Sequence, residues 1–408
     1  MRAPATLSSP ARALLRAVGR PVTRRRLLQG ALAGGAVAAG AATLGGCGLE
    51  GTGVARANCT AVDRSATERR LAFSNWVQYI DVDERDPNRR PTLAAFTAKT
   101  GIKVDYTEDI NDNNEFFGRI RAQLAACQDI QRDLVVFTDW MAAKFIRNGF
   151  AESIAPARMP AVHRNVLPSL KLRSYDREFA YSVPWQSGLT GIAVNTRVTA
   201  EVHTVDELLT RPDLAGRVTV PMEMSDTMGL LIASLGKDPA DFTPEDFDAA
   251  LDKLNRAVQA GHIRRFSGNE YVQDLAKGDV AAAIAWSGDA LQLNTNDPKI
   301  KFIGPDEGLM IWSDCALIPS TAAHAANAAK LLDYYYDPAV AAELAAWVNY
   351  VCPVVGAQEE MAKIDPELAE NELIFPGPSL LGRVHAFKAL SDSEERAYQA
   401  KFSAVMGT

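Results

Sequence analysis

Histidine is scarce in this chain of 408 residues. The five are His163, His203, His262, His324 and His385, and no two stand at H-x-H or H-x-x-x-H spacing, which excludes the grouped ligands of a zinc centre. There is no G-x-S-x-G elbow, so a hydrolase reading has no nucleophile, and no G-x-G-x-x-G, so a dinucleotide loop is missing too. "GLLIASLGKD" fails as a phosphate loop: Gly229 to Gly236 is two residues too long, and Lys237 precedes Asp238 instead of Ser or Thr. It reads as a helix end. "DINDNNEFFGRI" fails as a calcium loop, with Asn114 at the Gly position and Ile120 at the Glu position. Tyr334, Tyr335 and Tyr336 offer hard oxygen to a ferric ion, but helical spacing puts at least one in the core, so a structural role is expected. Internal repeats, low-complexity runs and coiled-coil heptads are lacking as well. No enzyme activity, cofactor or metal is expected.

Acid is missing from the first 46 positions, which hold seven Arg, no Lys, and a Gly/Ala tract from Leu27 to Gly46. That is the composition of an export signal. "TRRRLLQ" resembles the twin-arginine consensus, with Arg24 and Arg25 as the pair. "LGGC" resembles a bacterial lipobox, so Cys47 would be lipidated and become the mature N-terminus. Six Gly make the tract a poor membrane span. The expectation is attachment by lipid alone, residues 47–67 as a tether, and a body on the outer (periplasmic or extracellular) face of the cell membrane. Removing residues 1–46 leaves 36 Lys and Arg against 50 Asp and Glu, a net charge of −14. Such a body disfavours nucleic acid and anionic lipid. Cys59, Cys127, Cys315 and Cys352 remain, enough for two disulfides in an oxidising compartment with three pairings open.

After the tether, strand-like and helix-like segments alternate. "RRLAFSNW" is followed by the helix "TLAAFTAKTG" with Gly101 as its cap, the strand "IKVDYTED", the helix "NEFFGRIRAQLAAC", the strand "DLVVFTD" and the helix "WMAAKFIRNG" ending at Gly149. That order predicts parallel βαβ units. Thr204 to Glu207 reads as a capping box, and Thr243 with Pro244 opens an amphipathic helix ending at Gly261. "VAAAIAW" and "KIKFIG" read as strands of a sheet covered on both faces.

"MIWSDCALIP", Met310 to Pro319, is a buried strand interrupted by Asp314. A carboxylate there costs several kcal/mol unless a partner meets it, roughly the penalty of an unpaired internal charge. Trp76 and Tyr79 follow the first strand, Trp140 and Trp286 fall at other strand ends, and Trp312 just precedes the acid. Strand ends are where open α/β sheets bind ligands. Singly each Trp fits a core, but four of the six Trp occupy such places. Glu223 and Asp226 in "VPMEMSDTMG" recur there too. Aromatic faces hold ammonium groups and cover methylene stems, while carboxylates accept charge-assisted bonds from nitrogen. The set suits an aliphatic di- or polyamine.

From Leu71 to Phe402 the chain resembles the spermidine/putrescine-binding proteins of bacterial ABC transporters. The resemblance is carried in order by "NWVQYI", "TGIKVDY", "DLVVFTDWMAAKF", "YSVPWQSGLTGIAVN", "LAKGDVAAAIAWSGDA", "IWSDCALIP" and "NYVCPV". It implies an α/β, two-lobed periplasmic binding protein of type II with a hinge and a central ligand cleft. One lobe would be 68–189 plus 313–362 and the other 190–312 plus 363–408. It implies a ligand site of Trp76, Tyr79, Trp140, Glu223, Asp226, Trp286, Trp312, Asp314 and Tyr350, a polyamine ligand, ABC permease subunits as partners, and a monomer. Another organic cation, an amino acid or a ferric complex is the alternative ligand. Ser187 departs from the family, which often has a bulky residue there. Since the resemblance brings Asp314 and Tyr350 to one cleft, their neighbours Cys315 and Cys352 are expected to pair, leaving Cys59 for Cys127.

Overall fold

A computed structural model describes residues 59–407 apart from 169, 171–174 and 177. The export segment with Arg24 and Arg25, and Cys47 after it, lie outside the described residues. Within them, the expected alternation is present. Strands β1 (Arg70–Trp76), β2 (Lys103–Ile110) and β3 (Leu134–Thr138) alternate with the helices Pro91–Thr100, Asn113–Ala125 and Asp139–Arg147. Pro91 opens the first helix and Gly101, at φ +71°, ends it by returning its N–H to the Thr97 carbonyl. β1 pairs with β2 and β3 in parallel.

β4 (Ser182–Asn195) follows, then β5 (Val218–Pro221), β6 (Ile263–Ser267), β7 (Ala282–Trp286), β8 (Ile300–Ile303), β9 (Leu309–Leu317) and β10 (Val384–Ala386). The sheet runs β2-β1-β3-β9-β4-β7-β5-β6, with β8 on β4 and β10 on β9 off that path. β4 and β9 are the antiparallel centre and change partners along their lengths. β9 pairs β3 over Asp314–Leu317, while β4 pairs β7 over Thr190–Val194. Each strand thus belongs to one lobe at one end and to the other lobe at the other. All 14 residues of β4 are buried, as expected of a strand covered throughout. β8 departs from expectation: it pairs with β4 alone and leaves Lys301 exposed, because that ammonium needs water.

The cores follow that division. Leu71, Phe73, Val183, Ala316 and Ile318 pack with the helices Ala325–Tyr335 and Pro338–Val348, while Phe137, Phe145, Cys315 and Leu317 pack on the other face of the same lobe. Val218, Met228, Leu254, Ile284 and Phe402 build the second lobe. Ala369 and Ile374, expected there from position 363 on, instead join the first lobe's core. The chain crosses later than the expected boundary because this stretch has apolar anchors that fit the first lobe. Tyr335 and Tyr336 are buried in that core, with the Tyr336 hydroxyl donating to the Pro184 carbonyl at 2.8 Å.

Cys315 and Cys352 are not disulfide-bonded; both remain buried thiols. Alternation along β9 explains this. Ala316 faces the core that contains Cys352, whereas Cys315 faces the opposite one, so the sheet separates the two sulfurs. The bond that forms is Cys59–Cys127, with Cα atoms 5.3 Å apart. It fixes the tether earlier than residue 67: Arg64 donates its N–H to Ala323 and Asn327 donates to the Ser65 hydroxyl at 3.1 Å. Non-reducing peptide mapping should find Cys59 joined to Cys127. The Cys59→Ser, Cys127→Ser double variant should lose about 2 to 4 kcal/mol of stability, since the bond closes a chain segment of 68 residues. A wild-type melting temperature unchanged by reductant would contradict this. Among the described residues no helix is long and apolar enough to cross a membrane.

Candidate functional site

Between the lobes lies a cavity of about 240 Å³. Its walls are the ends of β1, β3 and β7, the middle of β9, and the first turns of the helices that follow β5 and β7. Asp112, Glu223, Asp226, Glu270, Asp289 and Asp314 line it, with Trp76, Tyr79, Trp286, Trp312 and Tyr350. Among the described residues no Lys, Arg or His does. Of the residues expected from sequence, Trp140 alone is missing from this cavity; it lines a neighbouring compartment beyond Trp312. Trp140 follows β3 at the same edge of the sheet, but Trp312 stands between it and this cavity.

Asp314 sits where β9 lies between β3 and β4, paired in register with Thr138 on one side and Gln186 on the other. The Thr138 hydroxyl donates to Asp314 Oδ1 at 2.8 Å. The buried Tyr79 hydroxyl lies close enough to act on the same carboxyl, yet makes no hydrogen bond of good geometry. Burial pushes the Asp314 carboxyl up to about 7, against the pull of Thr138 and Tyr79 and reinforced by Asp139 and Asp226.

On the second lobe, Asp226 occupies the first turn of the helix Met224–Ala233. Thr190 donates to its Oδ1 at 2.7 Å and the Trp286 indole to its Oδ2 at 2.8 Å. Burial raises its pKa to about 6 in spite of both bonds. The Trp312 indole donates to Thr190 at 3.0 Å, so one hydroxyl orders an acid and an aromatic wall together. Glu223 is held more loosely, by Asn113 at 3.4 Å and Ser225 at 3.3 Å. Burial first, then the charges of Asp226 and Asp112, push its pKa well up.

Asp289 escaped the sequence reading. It accepts from Tyr271 at 2.8 Å, Asn269 at 3.0 Å and Tyr350 at 3.1 Å, and burial raises its pKa. The signal was present in "WSGD", an acid in the first turn of the helix that follows a strand, the position that Asp226 also takes after β5. Thr138 and Asn113 were missed as well, since nothing in a lone hydroxyl or amide marks it before the register is known.

The aromatic walls depend on two glycines. A Cβ on Gly188 would stand 2.2 Å from the Trp312 ring, and one on Gly288 would stand 2.4 Å from the Tyr350 ring. Trp312 and Tyr79 then flank Tyr350 at 5.5 and 5.4 Å between ring centroids. The Trp76 indole N–H is buried with no partner among the described residues.

The lobes are also tied at the rim. Lys144 on the first lobe pairs with Glu395 on the C-terminal helix at 2.6 Å, and Arg147 reaches Asp392 and, at 3.7 Å, Glu395. Because that helix packs on the second lobe through Tyr398 and Phe402, these pairs bridge the two lobes and would break if the cleft opened. Glu395→Gln should shift the ligand-free protein toward an open form, read as a larger radius of gyration in small-angle X-ray scattering. Ligand affinity should weaken about two- to fivefold, the scale of a partly exposed pair. An unchanged radius would remove the ion pairs from the closing equilibrium.

Residues 92–376 match the family of bacterial extracellular solute-binding proteins. The spermidine/putrescine-binding periplasmic protein of Salmonella typhimurium is 24% identical over 314 residues, 77% of this chain and 85% of that protein. The putrescine-binding periplasmic protein PotF of Escherichia coli is 26% identical over 352 residues, 81% of this chain and 90% of that one. Among solved structures, the Tp0655 (TpPotD) lipoprotein of Treponema pallidum superposes with a TM-score of 0.69 at 22% identity, covering 83% of this chain and all of that one. The architecture is the two-lobed type II fold.

Proposed function

This chain belongs to the bacterial extracellular solute-binding protein family, and on that premise we propose that it captures a polyamine, putrescine or spermidine in size, and delivers it to an ABC permease. The observation that carries the reading is the cavity's inventory: six carboxylates, five aromatic side chains and no basic side chain among the described residues. An amino acid or ferric citrate would bring a carboxylate that finds no cation there, whereas an aliphatic amine finds acids for its nitrogens and indole faces for its methylenes. Asp314 meets one ammonium from the first lobe, Glu223 and Asp226 meet the far one from the second, and a bound amine therefore draws the lobes together.

A thermal-shift panel of putrescine, cadaverine, spermidine, spermine, arginine, lysine and ferric citrate tests the reading. Stabilisation by the amines alone is expected; stabilisation by ferric citrate or amino acids alone would refute it. The protein itself catalyses nothing in this account. It works as an exported monomer held to the membrane's outer face by lipid on Cys47, following the "LGGC" sequence. Metabolic labelling with a palmitate analogue should mark the wild type and leave Cys47→Ser unmarked; equal labelling of both would end the lipid-anchor claim.

A further inference from the structure

The compartment beyond Trp312 has a volume of about 290 Å³, as large as the cavity already described. The two share Glu223, Ser225, Asp226 and Trp312 as a common wall, but their chemistry differs. Trp140, Ala143, Met310, Ile311, Phe387 and Leu390 give the second compartment an apolar lining. Its cations are engaged, Arg147 with Asp392 and Lys388 with Glu394 at 3.4 Å; of its own acids, Glu395 is paired with Lys144 and Asp139 accepts the Trp140 backbone N–H at 2.7 Å. A second ammonium would gain little there, while an uncharged substituent would leave water for an apolar surface. The Trp140 indole N–H is buried in this wall without a partner among the described residues. Glu223, on the shared wall, has only the two long bonds already given and so has capacity for a further donor.

We propose that the cleft is a two-compartment site for an N-substituted polyamine, with a secondary ammonium held at Glu223 and Asp226, its amine arm in the first compartment and its apolar substituent in the second. A primary amine ends at Glu223; a secondary ammonium still offers two N–H donors there and continues past it. The inference rests on the polyamine reading and refines the ligand class.

Calorimetry with putrescine and N-benzylputrescine tests it, on the parent and on two variants that fill the second compartment: Ala389→Phe at an exposed position, and Ala143→Leu at a buried one. The benzyl derivative should bind the parent about tenfold more tightly than putrescine does, by the scale of burying one aromatic ring. Both variants should abolish that advantage and leave the Kd for putrescine within about twofold of the parent, which also reports that they fold. A benzyl derivative that binds no better than putrescine overturns the inference while leaving the polyamine reading intact, as does a parallel weakening of both ligands by both variants. If neither amine binds the parent, the polyamine reading fails and this inference falls with it.

Discussion

Asp314→Asn is expected to weaken binding of every polyamine by about 2 to 5 kcal/mol, roughly thirty- to several-thousand-fold, the range for removing one partner of a buried charge pair. The substitution keeps the shape, and its carbonyl oxygen can still accept from Thr138, whose own oxygen accepts from Asn113 at 2.9 Å. What goes is the charge facing the ammonium in a closed, water-poor cleft. The ligand-free protein should not suffer. Asp314 is an acid whose charge burial opposes, so at pH 8 the Asn variant should melt at the same temperature as the parent or higher. Titration calorimetry at pH 8, where the parent's Asp314 is mostly ionised, separates the two effects. Unchanged affinity would remove Asp314 from the site; a large fall in ligand-free melting temperature would make it a structural acid.

Affinity should also climb with pH. In the ligand-free protein Asp226 titrates near 6 and Asp314 near 7, both raised by burial from 3.8. Between about pH 4 and 7 the folded state therefore holds more protons than the unfolded one. These two groups contribute stability that is complete below pH 4 and lost as pH rises through 6 and 7. An incoming ammonium favours the ionised carboxylates, so it must displace those protons when the solution is acidic. Between pH 8 and pH 5 the affinity should fall by at least roughly a hundredfold, with a plateau above pH 7.5. Calorimetry at pH 6.5 in two buffers of different ionisation enthalpy should show net proton release on binding. In Asp314→Asn the slope between pH 6.5 and 8 should largely disappear. A flat profile from pH 5 to 8 would mean that neither acid meets the ligand.

The sequence made some of this plain and hid the rest for physical reasons. A carboxylate inside the apolar run of β9 could be stable only with a partner, and that single conflict picked out an acid that lines the cavity between the lobes. Trp76 and Trp286 end β1 and β7 at one edge of the sheet, which depends on chain direction alone, whereas Trp312 lies within β9 and not at its end. The same rule could not say that Trp312 would divide the cleft and leave Trp140 on its far side, since that depends on how two lobes meet. The cysteine pairing failed at a point where parity held the answer. If Asp314 faces the ligand, Cys315 faces away from it on the same strand, and so it cannot reach a residue packed behind Tyr350. Asp289 needed no new principle, only the Asp226 pattern applied a second time. Thr138 and Gly188 matter through the register of β3, β4 and β9, a long-range property that no local stretch encodes.

The central claim, that acids from both lobes hold the nitrogens of one amine, is tested most directly by a crystal structure of the protein grown with spermidine at pH 8. The account predicts an extended ligand between Trp76, Trp286 and Trp312, with one terminal nitrogen within about 3.2 Å of Asp314 and another nitrogen within that distance of Glu223 or Asp226. A cleft that excludes spermidine, or holds it with every nitrogen remote from Asp314, would contradict it.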